Sequence, residues 1–422
     1  MSFTLLENKI QRLYGNQKEI CEYQINRYQN LIKQFLEKFG EKDFQLFSTP
    51  GRTEIGGNHI DHNHGHVLAG AVNLDSIAVV SMNNSSNVTL YSEGYPHPFK
   101  LDLNNLDIFN EEIGTTNSLI RGIASKLNES GFKIGGFDAV MTSDVLIGSG
   151  LSSSASVEVL IGTIFNYLFN DGKISLNKLA IVGQYAENKY FGKPCGLMDQ
   201  VACAFGGIIN IDFKDPVNPI IQKIDFSLST WNYSLLVVDT GGDHADLTEE
   251  YAAVPQEMKA VAKKLGVSVC RDLNKNQIFA NLPSLRSKLG DRAVLRSLHF
   301  INENKRVVKQ VNALKDNDFV RFLNLINESG NSSFKWLQNI YVASDLENQP
   351  ITVALALTED YLNEVGEGTA RIHGGGFAGT IQVFLPDNSV NEYIKRIEPV
   401  FGKGCIKVLD IRDIGAISLE KV

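Results

Sequence analysis

The sequence predicts an α/β chain of two domains, and three observations carry that prediction. Strand-like and helix-like segments alternate along most of its 422 residues. Two glycine-rich loops stand at junctions of such segments. The length is about three times that of an ordinary ~150-residue domain. With 43% hydrophobic and 21% charged residues, the chain has the balance of a globular protein with a sizeable core, which excludes a disordered chain, a collagen-like repeat or a coiled coil.

Taken in order, residues 17 to 46 place Ile20, Tyr23, Ile25, Tyr28, Leu31, Ile32, Phe35 and Leu36 at helical spacing among charges, which predicts an amphipathic helix laid on a core. Strands are predicted at Ile77–Met82, across the alternating Val88–Tyr91, and at Phe137–Met141. Between the last two, Leu119, Ile120, Ile123 and Leu127 mark one face of a helix behind a Thr115 cap. An apolar stretch of helix length, Val157–Phe169, is followed by strands at Gly207–Phe213 and Leu235–Asp239. Residues 253 to 345 turn helix-rich and polar, and strand character returns at Thr380–Leu385 and Ala416–Leu419. Pro216 and Pro219 draw the domain boundary into 214 to 232, dividing the chain into 1–222 and 223–422.

Charge and cysteine usage narrow the classes of function. Forty Lys and Arg against 48 Asp and Glu give a net charge of -8, so a general electrostatic footprint for a nucleic-acid backbone is not expected. Five scattered cysteines (Cys21, Cys195, Cys203, Cys270, Cys405) without a C-x-x-C pair suggest neither a disulfide framework nor a thiolate zinc site, and fit a reducing cytoplasm. The N-terminus lacks a basic segment followed by an apolar run, and no apolar stretch reaches the ~18 residues of a membrane span. Neither secretion nor membrane insertion is expected.

Gly148-Ser149-Gly150-Leu151-Ser152-Ser153-Ser154-Ala155 lies between a strand and the apolar helix, where a phosphate loop belongs. Its glycines let N–H groups turn toward an anion, its hydroxyls add donors and a possible metal ligand, and the helix presents its positive end. The run is neither G-x-x-x-x-G-K-[ST] nor G-x-G-x-x-G, so the common P-loop and the dinucleotide fold are disfavoured. A second run, Gly374-Gly375-Gly376-Phe377-Ala378-Gly379, permits close backbone approach to a ligand or to another loop. From Gly51 to His66 four histidines, Asp61 and Arg52 crowd beside glycines, as suits a multiply hydroxylated ligand. Zinc is the rival reading of those histidines, although their spacing is not H-E-x-x-H.

Pro50-Gly51-Arg52, then Gly57-Asn58-His59-x-Asp61, then the 148 to 155 loop, then 374 to 379, in that order, resemble the three motifs of the GHMP kinases, and the first motif points to the galactokinases among them. Pro194 to Gln200, Glu250-Tyr251, Arg296 to His299, Glu303-Asn304 and Arg306-Val307 extend the resemblance. It implies a ribosomal-protein-S5-like N-terminal domain, a ferredoxin-like C-terminal domain, and transfer of the ATP γ-phosphoryl group to the C1 hydroxyl of galactose by a monomer with Mg2+. By the same resemblance Asp199 is the catalytic base or the carboxylate that orients the hydroxyl, and Arg52 stabilises charge on the phosphoryl group while lowering the Asp199 pKa. Gly148, Ser149, Gly150, Leu151, Ser152, Ser153 and Ser154 hold the nucleotide. Ser154 and Glu187 ligate the metal, and Asn58, His59, Asp61, Gly196 and Tyr251 contact the sugar.

Asn58 stands where the family commonly has Glu, so one sugar hydroxyl, taken as the one on C6, loses a charged acceptor. Galacturonate and N-acetylgalactosamine are therefore alternative substrates. A non-catalytic sugar sensor is the rival of another class, and the joint presence of Arg52, Glu187 and Asp199 speaks against it.

Overall fold

A computed structural model of the chain describes residues 3–145, 150–242, 247–377 and 379–422. Helices α1 (Phe3–Tyr14) and α2 (Lys18–Phe39) precede β1 (Gln45–Gly56) and β2 (His66–Met82). Next come β3 (Asn87–Ser92), β4 (Phe99–Asp102), α3 (Thr116–Glu129), β5 (Phe137–Ser143), α4 (Ser153–Phe169), α5 (Leu176–Ala186), α6 (Met198–Phe205), β6 (Ile208–Asp212) and β7 (Ile220–Ile224). The rest comprises β8 (Tyr233–Asp239), α7 (Thr248–Lys264), α8 (Lys275–Ala280), α9 (Leu282–Leu289), α10 (Asp291–Lys315), α11 (Phe319–Ser332), α12 (Pro350–Val365), β9 (Thr369–His373), β10 (Thr380–Pro386), α13 (Val390–Phe401), β11 (Ile406–Leu409) and β12 (Ile417–Ser418).

These strands form two sheets. The larger runs β12-β1-β2-β5-β3-β4, with β6 pairing the first residues of β2 and β7 pairing β6; the smaller runs β11-β8-β10-β9. The chain thus leaves the first sheet after Ile224, enters the second at Tyr233, and returns to the first through β12 against Phe47 and Ser48. One apolar cluster joins the two, from Ile55 and Val67 on β1 and β2 to Phe300 and Val307 on α10 and Phe384 on β10. Among the described residues no helix is long and apolar enough to cross a membrane.

The first predicted helix is shorter than its pattern: it ends at Phe39, where Gly40 adopts φ 74, and residues from Gln45 onward are strand. Its face does bury Ile25, Tyr28, Leu31 and Phe35 against Leu46, Ile77 and Val140, while Tyr23 is exposed. Asp75 of β2 anchors this end of the molecule. It is fully buried, accepts from Arg27 Nη1 at 2.5 Å and Arg412 Nη1 at 2.8 Å, and also bonds Ser48 and Tyr14. Strand β1 carries the first part of the polar segment 51 to 66, and Arg52 to Glu54 pair with Ala71 to Ala69 of β2 in antiparallel register. Register shifts on either side of Arg52–Glu54 re-aim this stretch, as bulges beside functional sites do.

Candidate active site

Arg52 reaches out of β1 between two other elements. A Cβ on Gly51 would lie 2.9 Å from the Leu151 carbonyl, so the segment entering α4 rests directly on the strand, and the Arg52 N–H donates to that same carbonyl at 2.9 Å. The Arg52 guanidinium forks onto Asp199, Nε to Oδ1 at 2.7 Å and Nη2 to Oδ2 at 2.6 Å, while Nη1 donates to the Gly150 carbonyl. Ser152, left-handed at φ 59 just before α4, donates to Asp199 Oδ2 at 2.7 Å. Asp199 sits in the first turn of α6, where the helix dipole favours an anion. Burial raises its carboxyl pKa, but the Arg52 charge and the hydrogen bonds from Arg52 and Ser152 outweigh that and hold it below the ordinary value. Its side chain is 28% exposed, open to the cleft.

On the far side of this pair, Ser154 in the first turn of α4 donates to Glu187 Oε1 at 3.1 Å. Glu187 follows α5 where the helix widens into a π-turn over Glu187–Phe191, and Lys193 Nζ lies 3.6 Å from the same oxygen. Gln200 donates to Glu187 Oε2 at 3.0 Å and to Glu158 Oε2 at 2.9 Å. Burial, then the neighbouring Glu187, pushes the Glu158 carboxyl well up. A hydroxyl and a carboxylate side by side at the N-terminus of α4 fit a hard divalent cation that completes its shell with phosphate oxygens and water.

The residues expected at the sugar divide into two groups. Asp61 lines the cleft, and its Oδ2 approaches Gly196 so closely that a Cβ there would sit 1.8 Å away and push the carboxylate aside. His59 lines it too, held by Nε2 donating to the Gly375 carbonyl at 2.7 Å, and burial pushes its imidazole down to about 4, so it is neutral. Tyr251 packs edge-on against Phe377, and its hydroxyl donates to the Gly376 carbonyl at 3.0 Å.

Asn58 corrects the expectation. It is fully buried, and its amide nitrogen donates to Glu54 Oε1 at 3.0 Å and the Gly374 carbonyl at 2.6 Å. Its oxygen accepts from Asn339 at 2.8 Å and Ser333 at 3.2 Å. No donor or acceptor of this amide is left for a ligand, so the case for galacturonate that rested on a neutral group at 58 loses its footing.

The second glycine run makes close contacts with protein. Carbonyls of Gly374, Gly375 and Gly376 receive Asn58 and His59 of the first motif and Tyr251 of α7, while Gly374 and Gly375 also line the cleft. Gly148 and Ser149 lie outside the described residues, as does Ala378. Of the rest of the nucleotide loop, Gly150, Ser152, Ser153 and Ser154 line the cleft, whereas Leu151 is buried in the apolar cluster. The histidines diverge: His66 pairs with Asp212 at 3.3 Å, His59 faces Gly375, and among the described residues no group of three or more His, Cys, Asp or Glu is placed to hold a metal. Glu54 and Lys193 also line the cleft and were not singled out in the sequence, while Gln200 supports Glu187 from beneath it; for Glu54 the signal was its alternation with Arg52 along one strand. Arg52, Glu54, His59, Asp61, Ser154, Glu187, Lys193, Gly196, Asp199 and Tyr251 line one cleft of about 1790 Å3, which Tyr95, Phe99, Leu119 and Met141 also line.

Fold and sequence comparison agree on the class. Residues 118–207 match the GHMP kinases N-terminal domain, and the chain has the fold of that class. Lactococcus lactis galactokinase complexed with galactose superposes with a TM-score of 0.80 at 23% identity, over 93% of this chain and 99% of that one. A mevalonate kinase superposes at 0.62 with 16% identity, over 87% and 99%. More narrowly, residues 33–82 match the galactokinase galactose-binding signature. A galactokinase of Actinobacillus pleuropneumoniae serotype 5b is 33% identical over 376 residues, 86% of this chain and 91% of that protein. One of Glaesserella parasuis serovar 5 is 32% identical over 385 residues, 88% and 92%. The chain belongs to the galactokinase family.

Proposed function

We propose that this protein is an ATP-dependent sugar 1-kinase that transfers the γ-phosphoryl group of ATP to the C1 hydroxyl of galactose. The observation that carries the reading is the Arg52–Asp199 fork, facing the cleft beside the N-terminus of α4. That terminus offers N–H groups and a positive dipole to phosphates. Mg2+, held by Ser154 and Glu187 with phosphate oxygens, would neutralise charge on the nucleotide.

Asp199, ionised and weakly basic because Arg52 and Ser152 stabilise its anion, suits this reaction. Phosphoryl transfer passes through a loose transition state in which the attacking hydroxyl keeps its proton until late. Asp199 orients the hydroxyl and takes the proton as the new O–P bond forms and the bond to ADP breaks. Arg52 fixes Asp199 and directs its uncommitted N–H groups at the transferring oxygens. Positioning and charge supply the rate. Five free cysteines fit a reducing cytoplasm as the place of work.

The test offers purified protein ATP with galactose, galacturonate or N-acetylgalactosamine and measures sugar phosphate and ADP. Equimolar galactose 1-phosphate and ADP are expected. Asp199→Asn should cut kcat by on the order of 10²-fold with sugar binding retained in calorimetry. Sugar binding without ATP consumption by the unaltered protein would replace the kinase with the sensor.

A further inference from the structure

Glu54 lies two residues beyond Arg52 on β1, between the two register shifts, and lines the same cleft as Asp199, His59 and Asp61. Its side chain is 5% exposed. Oε1 accepts from Arg371 Nη2 at 2.8 Å and from the Asn58 amide at 3.0 Å. Both donors are themselves fixed. Arg371 is fully buried and also donates to the carbonyls of Ile55 at 2.8 Å and Ile372 at 2.9 Å. Asn58 is bound by Gly374, Asn339 and Ser333 as described above. The other oxygen, Oε2, has no hydrogen-bond or ionic partner among the described residues. A carboxylate held this rigidly, with one oxygen unpaired at a polar cleft, is an acceptor waiting for a donor from a ligand.

We infer that Glu54, and not Asn58, supplies the carboxylate that receives a sugar hydroxyl and so sets which sugars this cleft accepts. Two residues of strand separate the Glu54 and Arg52 backbones by about 7 Å, a span comparable with one pyranose ring and its hydroxyls. In this assignment a sugar with its C1 hydroxyl at Asp199, in the cleft that Glu54 also lines, has another hydroxyl at Glu54. An ionised carboxylate accepts only. It rewards a hydroxyl, gains nothing from a position lacking one, and repels a second carboxylate. A neutral residue at 58 accordingly leaves the pocket no less acidic, because the charge enters from four residues earlier.

This inference deepens the galactose reading and rests on it, and the experiment separates the two. Galactose and its 2-, 3-, 4- and 6-deoxy analogues are compared by calorimetry and by kcat/KM, in the unaltered protein and in Glu54→Gln. In the unaltered protein, the analogue lacking the hydroxyl that Glu54 receives should lose about 10- to 100-fold in kcat/KM. In Glu54→Gln that particular penalty should shrink to within about threefold, while penalties at the other positions persist. A general structural disturbance would not single out one hydroxyl. Unchanged penalties at every position overturn the role of Glu54 while leaving galactose phosphorylation standing. If Glu54→Gln fails to fold because Arg371 is left unpaired, the double variant Glu54→Gln, Arg371→Met removes that charge and carries the same panel. Turnover of a different galacto-configured sugar moves the panel to that sugar, and binding of no sugar at all overturns both readings.

Discussion

Arg52→Lys tests the centre of the site most sharply, because it keeps the positive charge and removes only the fork. In the native arrangement the guanidinium binds both Asp199 oxygens, at 2.7 and 2.6 Å, and the Gly150 carbonyl. Five N–H groups are available to an arginine, so two remain for substrate oxygens. An ammonium is a point charge that cannot grip a carboxylate in this planar way. Losing two charge-assisted hydrogen bonds at about 1.5–2 kcal/mol each costs about 3–4 kcal/mol, roughly 150- to 900-fold in kcat/KM. The pH profile should move as well. Burial raises the Asp199 pKa and Arg52 is the main influence against it, so weakening that contact lets the carboxyl rise. Activity needs the ionised form, which is present above the folded pKa and lost as pH falls through it. The acid limb of kcat/KM should therefore lie at higher pH in the variant than in the unaltered protein. Steady-state ADP release, with kcat and KM resolved between about pH 5 and 8, reads both effects. A kcat/KM within threefold and an unmoved acid limb would refute the claim that catalysis uses the fork.

Other perturbations separate the remaining roles. Glu187→Gln removes the anionic partner of Ser154 and should raise the divalent cation needed for half-maximal rate by about tenfold or more, with galactose binding in calorimetry unaffected; the opposite pattern would mean the two subsites have been interchanged. Gly196→Ala places a methyl 1.8 Å from Asp61 Oδ2, and a displacement of that order should raise the galactose KM by on the order of 10-fold or more while the ATP KM holds. An unchanged galactose KM would remove Asp61 from the sugar pocket. Asp75→Asn leaves Arg27 and Arg412 without their buried anion and should cost about 3–5 kcal/mol, read as a lower urea midpoint at unchanged slope; an unaltered midpoint would mean the network is not what holds α1 and α2 to the sheet.

How legible these features were depends on what each residue type does in isolation. Helix α4 could be read because Val157 to Phe169 are apolar and long enough for no other element. Strand β1 could not. Pro50, Gly51, Arg52, Thr53, Glu54 and Gly56 carry the composition of a polar turn, yet the strand is buried almost throughout. Its charged side chains find partners 147 and 317 residues away, Arg52 in Asp199 and Glu54 Oε1 in Arg371. Hydrophobic periodicity is blind to a strand whose interior contacts are ionic. The same long separations hid β9: Arg371 reads as a surface charge until Glu54 and the Ile55 carbonyl are placed against it.

Asn58 shows where matching residues by position stops short of chemistry. A motif fixes the place of a Cα along the chain, and at 58 that place is close to the sugar pocket, but it does not fix which side chain faces the ligand. Glu54 and Asn58 touch at 3.0 Å, so a carboxylate and an amide four residues apart occupy one small volume. Exchanging which position carries the charge alters the sequence pattern while leaving a carboxylate in that volume. The side chain that ends up facing the cleft is then decided by the surroundings. Asn339, Ser333 and the Gly374 carbonyl offer two donors and an acceptor to whatever stands at 58. An amide satisfies all three, whereas a carboxylate would meet the Gly374 carbonyl acceptor to acceptor. The acid therefore belongs at 54, where Arg371 compensates half of it and the cleft receives the rest.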